Sequence, residues 1–248
     1  MVLQNTRPQD VGNDVVFLSD MDGTLTPPRL PMKNEFALAF KKLVKGKNFY
    51  IVTGSDLVKI EEQIPASVMD EISGIYASMG NELYLGKKLI YRNEFTPEKA
   101  LLDKLVYYRN VTRYPNKLYS NFIEKRCGMI NFCVPGRDCP LEARDMYREW
   151  DNLHGERKML AAALSAEFPN CDFSIGGSIS IDIVPAGFGK IQVAAHIRNL
   201  HPNKKVVFFG DKTEKGGNDY DIAQKLIDLG NAEIVPIESP VDVLRFLS

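Results

Sequence analysis

Val15-Val16-Phe17-Leu18-Ser19 is an unbroken apolar run that ends in acid, Asp20-Met21-Asp22, and then turns at Gly23-Thr24. A run without polar alternation suits a strand buried on both faces, which is the condition inside a parallel sheet covered by helices. The next segments supply those helices. Phe36, Ala39, Phe40 and Leu43 keep roughly helical spacing, and Lys45-Gly46-Lys47 ends that helix. A second strand covers 49–54, and Asp56 is placed to cap a helix running to about Gln63. The β-α-β-α opening predicts an α/β protein with a doubly wound, Rossmann-like core.

The pattern then changes. Residues 75–85 and 87–91 read as short strands meeting at a glycine turn, and a helix is expected over 97–112. Strands at 121–125 and 128–134 precede one long helix over 140–168. Segments 173–175 and 178–184 flank Gly176-Gly177, a hairpin signal. Strands in meander with helices make an antiparallel α+β unit. From Lys190 the α/β alternation resumes, with a helix to about Leu200, a strand at 205–210, a helix from about Asn218, a strand at 233–236 and a last helix at 241–247. The expected organisation is a core built from 1–86 and 189–248, split by an inserted cap at 87–188.

Composition narrows the function. A formal net charge of −1 in 248 residues gives no reason to expect a nucleic-acid partner. No apolar run approaches the roughly 20 residues of a membrane span. The opening MVLQNTRPQDVGND is polar, so no secretory signal is expected. Cys127, Cys133, Cys139 and Cys171 lack C-x-x-C spacing, which suits free thiols in a reducing, cytoplasmic compartment.

The chemistry is concentrated after the first strand, where open α/β sheets place their ligands. Two acids one residue apart divide the work there. One, Asp20 or Asp22, can offer its carboxylate to a metal and a phosphorus atom, and the next can turn towards a leaving oxygen. Gly23 allows the turn, and Thr24 adds a hydroxyl and an N–H. D-x-D-G-T behind a strand resembles the nucleophile motif of the haloacid dehalogenase superfamily. That resemblance implies a Thr or Ser after the second strand, for which Thr53 and Ser55 are available. It also implies a lysine before the last α/β section, Lys190, and acids after a later strand, Asp211 and Asp219. An aspartate and a phosphate repel each other, so Mg²⁺ is the implied cofactor, held by Asp20, Asp22 through its carbonyl, Asp211 and Asp219. Lys190 then neutralises charge in the transition state, and Asp22 acts as general acid and base.

The inserted segment points to a substrate. Residues 121–147, NFIEKRCGMINFCVPGRDCPLEARDMY, and the hairpin FSIGGSISIDIVPAGFGK resemble the eukaryotic-type phosphomannomutase family. The matching substrate-binding positions are Arg126, Arg137, Arg144, Ser180 and Asp182, with Arg29 after D-G-T-L-T-x-P. A hexose bisphosphate carries one idle phosphate while the other reacts, and guanidinium groups suit it. Ser180 and Asp182 alternate along a strand and share one face. The resemblance implies mannose 6-phosphate to mannose 1-phosphate interconversion, serving GDP-mannose biosynthesis and primed by a hexose 1,6-bisphosphate. It also implies a homodimer formed through the cap. Hexose phosphates are the implied small-molecule partners. A sugar-phosphate phosphatase of the same superfamily shares all the core residues; a fold without catalysis would have lost Asp20 or Asp211. Departures from the family are present: Lys225 stands where an acid of a second cation site is expected, beside Ala223, and leaves that site open.

Overall fold

The structure is a computed structural model and describes residues 14–248. The N-terminal stretch read above for a signal lies, up to residue 13, outside the described residues. The first α/β section runs β1 (Val15–Ser19), α1 (Asn34–Val44), β2 (Asn48–Val52), α2 (Leu57–Gln63), α3 (Ala66–Met69) and β3 (Gly74–Ala77). A 3₁₀ turn at Ser78–Gly80 leads into β4 (Glu82–Leu85) and β5 (Lys88–Arg92). The middle section is α4 (Lys99–Asn110), β6 (Ile123–Arg126), β7 (Met129–Phe132), α5 (Leu141–His154), α6 (Glu156–Glu167), β8 (Cys171–Gly176) and β9 (Ser180–Pro185). The last section is α7 (Ile191–Leu200), β10 (Lys205–Gly210), α8 (Tyr220–Asp228), β11 (Ala232–Pro236) and α9 (Pro240–Leu247).

The first and last sections share one seven-stranded sheet in the order β11-β10-β1-β2-β3-β4-β5. The pairings from β11 to β3 are parallel, and β4 and β5 add an antiparallel edge. Both faces of the sheet are covered. Val16, Leu18, Val52, Val206 and Phe208 pack with Ile197 and Leu226 on one face. Phe17 leans the other way, onto the cluster of Phe36, Phe40, Phe49 and Phe209. This two-sided burial is why β1 is apolar at consecutive positions.

Strand β5 belongs to the seven-stranded sheet, although the expected core–cap division fell at 86/87. Glu82 stands opposite Arg92 in that hairpin, their side chains pair at 2.7 Å, and the Tyr91 hydroxyl donates to the Gly80 carbonyl at 2.9 Å. The middle section has its own sheet, β6-β7-β9-β8, and its own apolar cluster around Leu105, Phe132, Tyr147, Leu164 and Ile181. The single helix expected over 140–168 is two, α5 and α6, divided at Gly155 with φ +67. Glycine takes that left-handed conformation without a Cβ penalty and ends the helix there. On these two helices Leu141 is 78 %, Leu153 84 % and Met159 61 % exposed. Among the described residues, no helix is long and apolar enough to cross a membrane.

Candidate active site

Strand β1 has β2 on one side and β10 on the other, so successive connections leave it in opposite directions. Such a reversal opens a crevice at the carboxyl ends of the strands. Asp20 ends β1 there, and its N–H donates to the Phe209 carbonyl at 2.9 Å. Asp211 follows β10, and Asp219 stands at the start of α8. Carboxylate oxygens of Asp20, Asp211 and Asp219 all lie within 4.8 Å of one another. Gly23 is required for this approach. Its φ is +91, and a Cβ at that position meets Asp211 Oδ2 at 2.4 Å.

Lys190, just before α7, enters the group from the other flank. Its Nζ donates to Asp20 Oδ1 at 2.6 Å and to Asp219 Oδ1 at 2.7 Å, with all three side chains buried. Burial works against the ammonium charge, but Asp20 and Asp219 outweigh it and hold Lys190 above its ordinary range. Burial, then the neighbouring Asp219, push Asp20 up to about 8 against the pull of Lys190. Burial also raises Asp211, which makes a 3.3 Å ion pair with Lys212 at the rim. Asp211 Oδ1 and Asp219 Oδ2 are buried without a hydrogen-bond partner. Buried carboxylate oxygens without partners are costly. Oxygen donors clustered in this way, with the negative charge left over after Lys190 is counted, fit a hard divalent cation.

The remaining core residues surround Asp22. Its Oδ1 accepts from the Arg29 backbone N–H at 2.8 Å, and the Ser55 hydroxyl donates to its Oδ2 at 3.4 Å. The Ser55 N–H donates in turn to Thr53 Oγ1 at 3.1 Å. Thr24 Oγ1 is buried and unpartnered beside them.

The second sheet brings its polar face against this loop. Arg126 Nη1 donates to the Gly54 carbonyl at 3.2 Å, between Thr53 and Ser55. Asp182 is buried, accepts from Asn131 Nδ2 at 2.6 Å, and has Oδ2 3.7 Å from where a Cβ on Gly54 would lie. Burial raises its carboxyl, against the pull of Arg126. Arg137 Nη1 donates to Ser180 Oγ at 3.3 Å, and Arg144 Nη2 to the Arg137 carbonyl at 2.6 Å. Arg29 is close enough to this group that burial, then Arg137 and Arg144, lower its guanidinium to about 10. Like charges gathered in a half-buried site can accommodate an anion. All the site residues expected from the sequence therefore meet where the two sheets face each other.

Other residues in the site were not singled out from the sequence. Glu124 Oε2 accepts from Arg126 at 2.6 Å and from Arg137 at 3.0 Å, while Oε1 lies 3.6 Å from Lys59 on α2. Asn131 aims Asp182. Both lie inside the segment that carries the arginines, which is the signal that could have found them.

Solved structures share this architecture. An IMP-nucleotidase from Plasmodium falciparum superposes with a TM-score of 0.62 at 13 % identity, covering 95 % of this chain and 67 % of that one. A haloacid dehalogenase-like hydrolase from Bacteroides thetaiotaomicron gives 0.60 at 12 % identity, covering 95 % and 98 %. At such identity they establish the fold, and the protein has a haloacid dehalogenase-like fold with a Rossmann-like core. Sequence similarity is more specific. A phosphomannomutase from Dendrobium officinale is 36 % identical over 233 residues, 90 % of each chain. One from Saccharomyces cerevisiae is 35 % identical over 246 residues, 95 % of this chain and 93 % of that one. The family model described as eukaryotic phosphomannomutase matches residues 36–247, and the chain belongs to that family.

Proposed function

We propose that this protein is a phosphomannomutase that interconverts mannose 6-phosphate and mannose 1-phosphate through a phospho-aspartate at Asp20. The observation that carries this reading is the convergence of Arg29, Arg126, Arg137 and Arg144 opposite the Asp20 loop. A mutase needs a cradle for a second, idle phosphate, and a simple phosphatase does not.

Asp20, Asp211, Asp219 and the Asp22 carbonyl would hold Mg²⁺. When bound, the cation supplies positive charge between the carboxylate and the phosphate oxygens. An Asp20 oxygen attacks phosphorus as the bond from phosphorus to the sugar oxygen breaks. Asp22 gives that oxygen its proton, then removes one from the hydroxyl that attacks the phospho-aspartate in the return step. Lys190 neutralises phosphoryl oxygens, and Thr53 and Ser55 hydrogen-bond to them. Ser180 and Asp182 take sugar hydroxyls, and the arginines hold the idle phosphate.

A hexose 1,6-bisphosphate primes the cycle. The middle section, divided from the core near residue 93, acts as a cap that closes over the substrate and excludes water. Its exposed Leu141, Leu153 and Met159 suit a homodimer contact. Cytoplasmic supply of mannose 1-phosphate for GDP-mannose synthesis is the matching role. The test is phosphorus NMR of mannose 1-phosphate with the protein, Mg²⁺ and trace bisphosphate. Accumulation of mannose 6-phosphate supports the reading, and inorganic phosphate as the sole product makes the protein a phosphatase.

A further inference from the structure

The chain crosses between the two sheets at two places, after β5 and before α7. Both crossings are tied to one buried side chain, Asn81, which is 0 % exposed. Its Nδ2 faces the carbonyls of Ser78 at 2.9 Å, Phe188 at 3.1 Å and Gly128 at 3.4 Å. Its Oδ1 accepts from Asn93 Nδ2 and from Gln192 Nε2, both at 3.3 Å. The Asn81 carbonyl also accepts from the Asn93 N–H at 2.8 Å. Asn93 lies on the first crossing and Phe188 on the second. Gly128 is the turn between β6 and β7, so the cap sheet itself rests on the same amide.

The packing at Gly128 is as close as a backbone allows. Its φ is +63, and a Cβ there would lie 2.5 Å from Asn81 Cβ and Cγ. Gln192 completes the tie on the core side. Its Nε2 donates to Phe188 at 2.8 Å and to Met79 at 3.2 Å, both through the carbonyl. The turn from Phe188 to Gln192 carries Lys190, whose ammonium reaches Asp20. One amide thus joins the cap turn, both crossings and the segment that places the catalytic lysine. An amide suits this place because it donates two hydrogens and accepts on the other side. A carboxylate there faces three carbonyls with nothing to donate.

We propose that Asn81 is the pivot of the cap and a positioning residue for Lys190, so that cap closure and lysine placement move together. Two direct side-chain contacts between cap and core, Arg126 to the Gly54 carbonyl and Lys59 to Glu124, part when the cap opens. The Asn81 contacts lie at the crossings and persist. Once the pivot is lost, the cap closes off register and water reaches the phospho-aspartate.

The pivot is read without turnover by hydrogen exchange on the full chain, and its catalytic half rests on the mutase reading above. Asn81→Ala is expected to speed exchange about tenfold in 126–130 and 186–192 while β1 and α1 stay at the wild-type rate. It is also expected to raise the ratio of inorganic phosphate to mannose 6-phosphate about tenfold. Asn81→Ser, a milder change, is expected to loosen both segments to a smaller degree and decides the matter if Asn81→Ala does not fold; Gln192→Ala is expected to loosen 186–192 and leave 126–130 unchanged. Exchange that is unchanged, or faster throughout the chain, overturns the pivot. Local loosening with an unchanged product ratio overturns the positioning role. If the wild-type protein makes no mannose 6-phosphate, the mutase reading fails, and the exchange pattern still decides the pivot.

Discussion

Lys190 and Asp20 are 170 positions apart in the chain, and their charged atoms meet at 2.6 Å inside a buried site. The lysine bridges onward to Asp219, so a single ammonium serves two carboxylates while Asp211 stands within reach. The arrangement is short of positive charge until a cation arrives.

The nucleophile is the first prediction. Asp20→Asn is expected to fold and to lose phosphoryl transfer by about ten thousandfold or more, the scale seen when a covalent nucleophile is removed. Asp22→Asn is expected to slow protonation of the leaving oxygen and to leave phosphorylation of Asp20 by an activated donor such as acetyl phosphate largely intact. Steady-state rates on both donors check this. Near-normal turnover by Asp20→Asn contradicts it.

Lys190→Met removes the buried ammonium that bridges Asp20 and Asp219. Breaking a buried pair leaves uncompensated charge and costs about 3–5 kcal/mol. The variant's thermal midpoint in EDTA is expected to fall, and Mg²⁺ is expected to raise it by more than it raises the wild type. Scanning calorimetry with and without Mg²⁺ measures both. Equal Mg²⁺ shifts in the two proteins would detach Lys190 from the cation site.

The raised carboxyl of Asp20 sets a pH dependence. Its folded value of about 8 is above its unfolded value, so the native state holds the proton longer. This group's contribution to stability is complete below the ordinary aspartate range and is lost as pH rises towards 8. A bound cation replaces the proton and removes that loss. The Mg²⁺-induced rise in thermal midpoint is therefore expected to be larger near pH 8 than near pH 5. A shift independent of pH places the cation away from Asp20.

Arg137→Ala and Arg144→Ala each remove a charge-assisted contact of roughly 1.5–3 kcal/mol. Specificity for mannose 1-phosphate is expected to fall about ten- to a hundredfold. Hydrolysis of acetyl phosphate, which has no second phosphate, is expected to change far less. Equal losses on both substrates would assign these arginines to folding or to the core site.

Much of this site is legible in the chain because its parts are local. The apolar run before Asp20 demands a strand buried on both faces, and the acids at its end stand where such sheets bind ligands. The cap arginines lie within one continuous segment. What escapes depends on contacts between distant segments or on backbone conformation. Asn81 looks like a turn residue in Met79-Gly80-Asn81, and its importance comes from carbonyls at Gly128 and Phe188, 47 and 107 positions away. Ser78 and Met79 take positive φ values of 51 and 63, which their residue types do not announce. Gly155 divides the single helix expected over 140–168 because it takes a left-handed conformation, which a lone glycine in the sequence does not announce. Strand β5 joins the core sheet through Glu82 and Arg92, a pairing set by register rather than by composition.

The central claim is that Asp20 carries a phosphoryl group and hands it to a sugar. Enzyme phosphorylated from radiolabelled hexose 1,6-bisphosphate, then chased in one turnover with unlabelled mannose 6-phosphate, tests it most directly. Label is expected on the peptide containing Asp20 before the chase and in mannose 1,6-bisphosphate after it, with no label retained by Asp20→Asn. Label released as inorganic phosphate, or found on a residue other than Asp20, contradicts the claim.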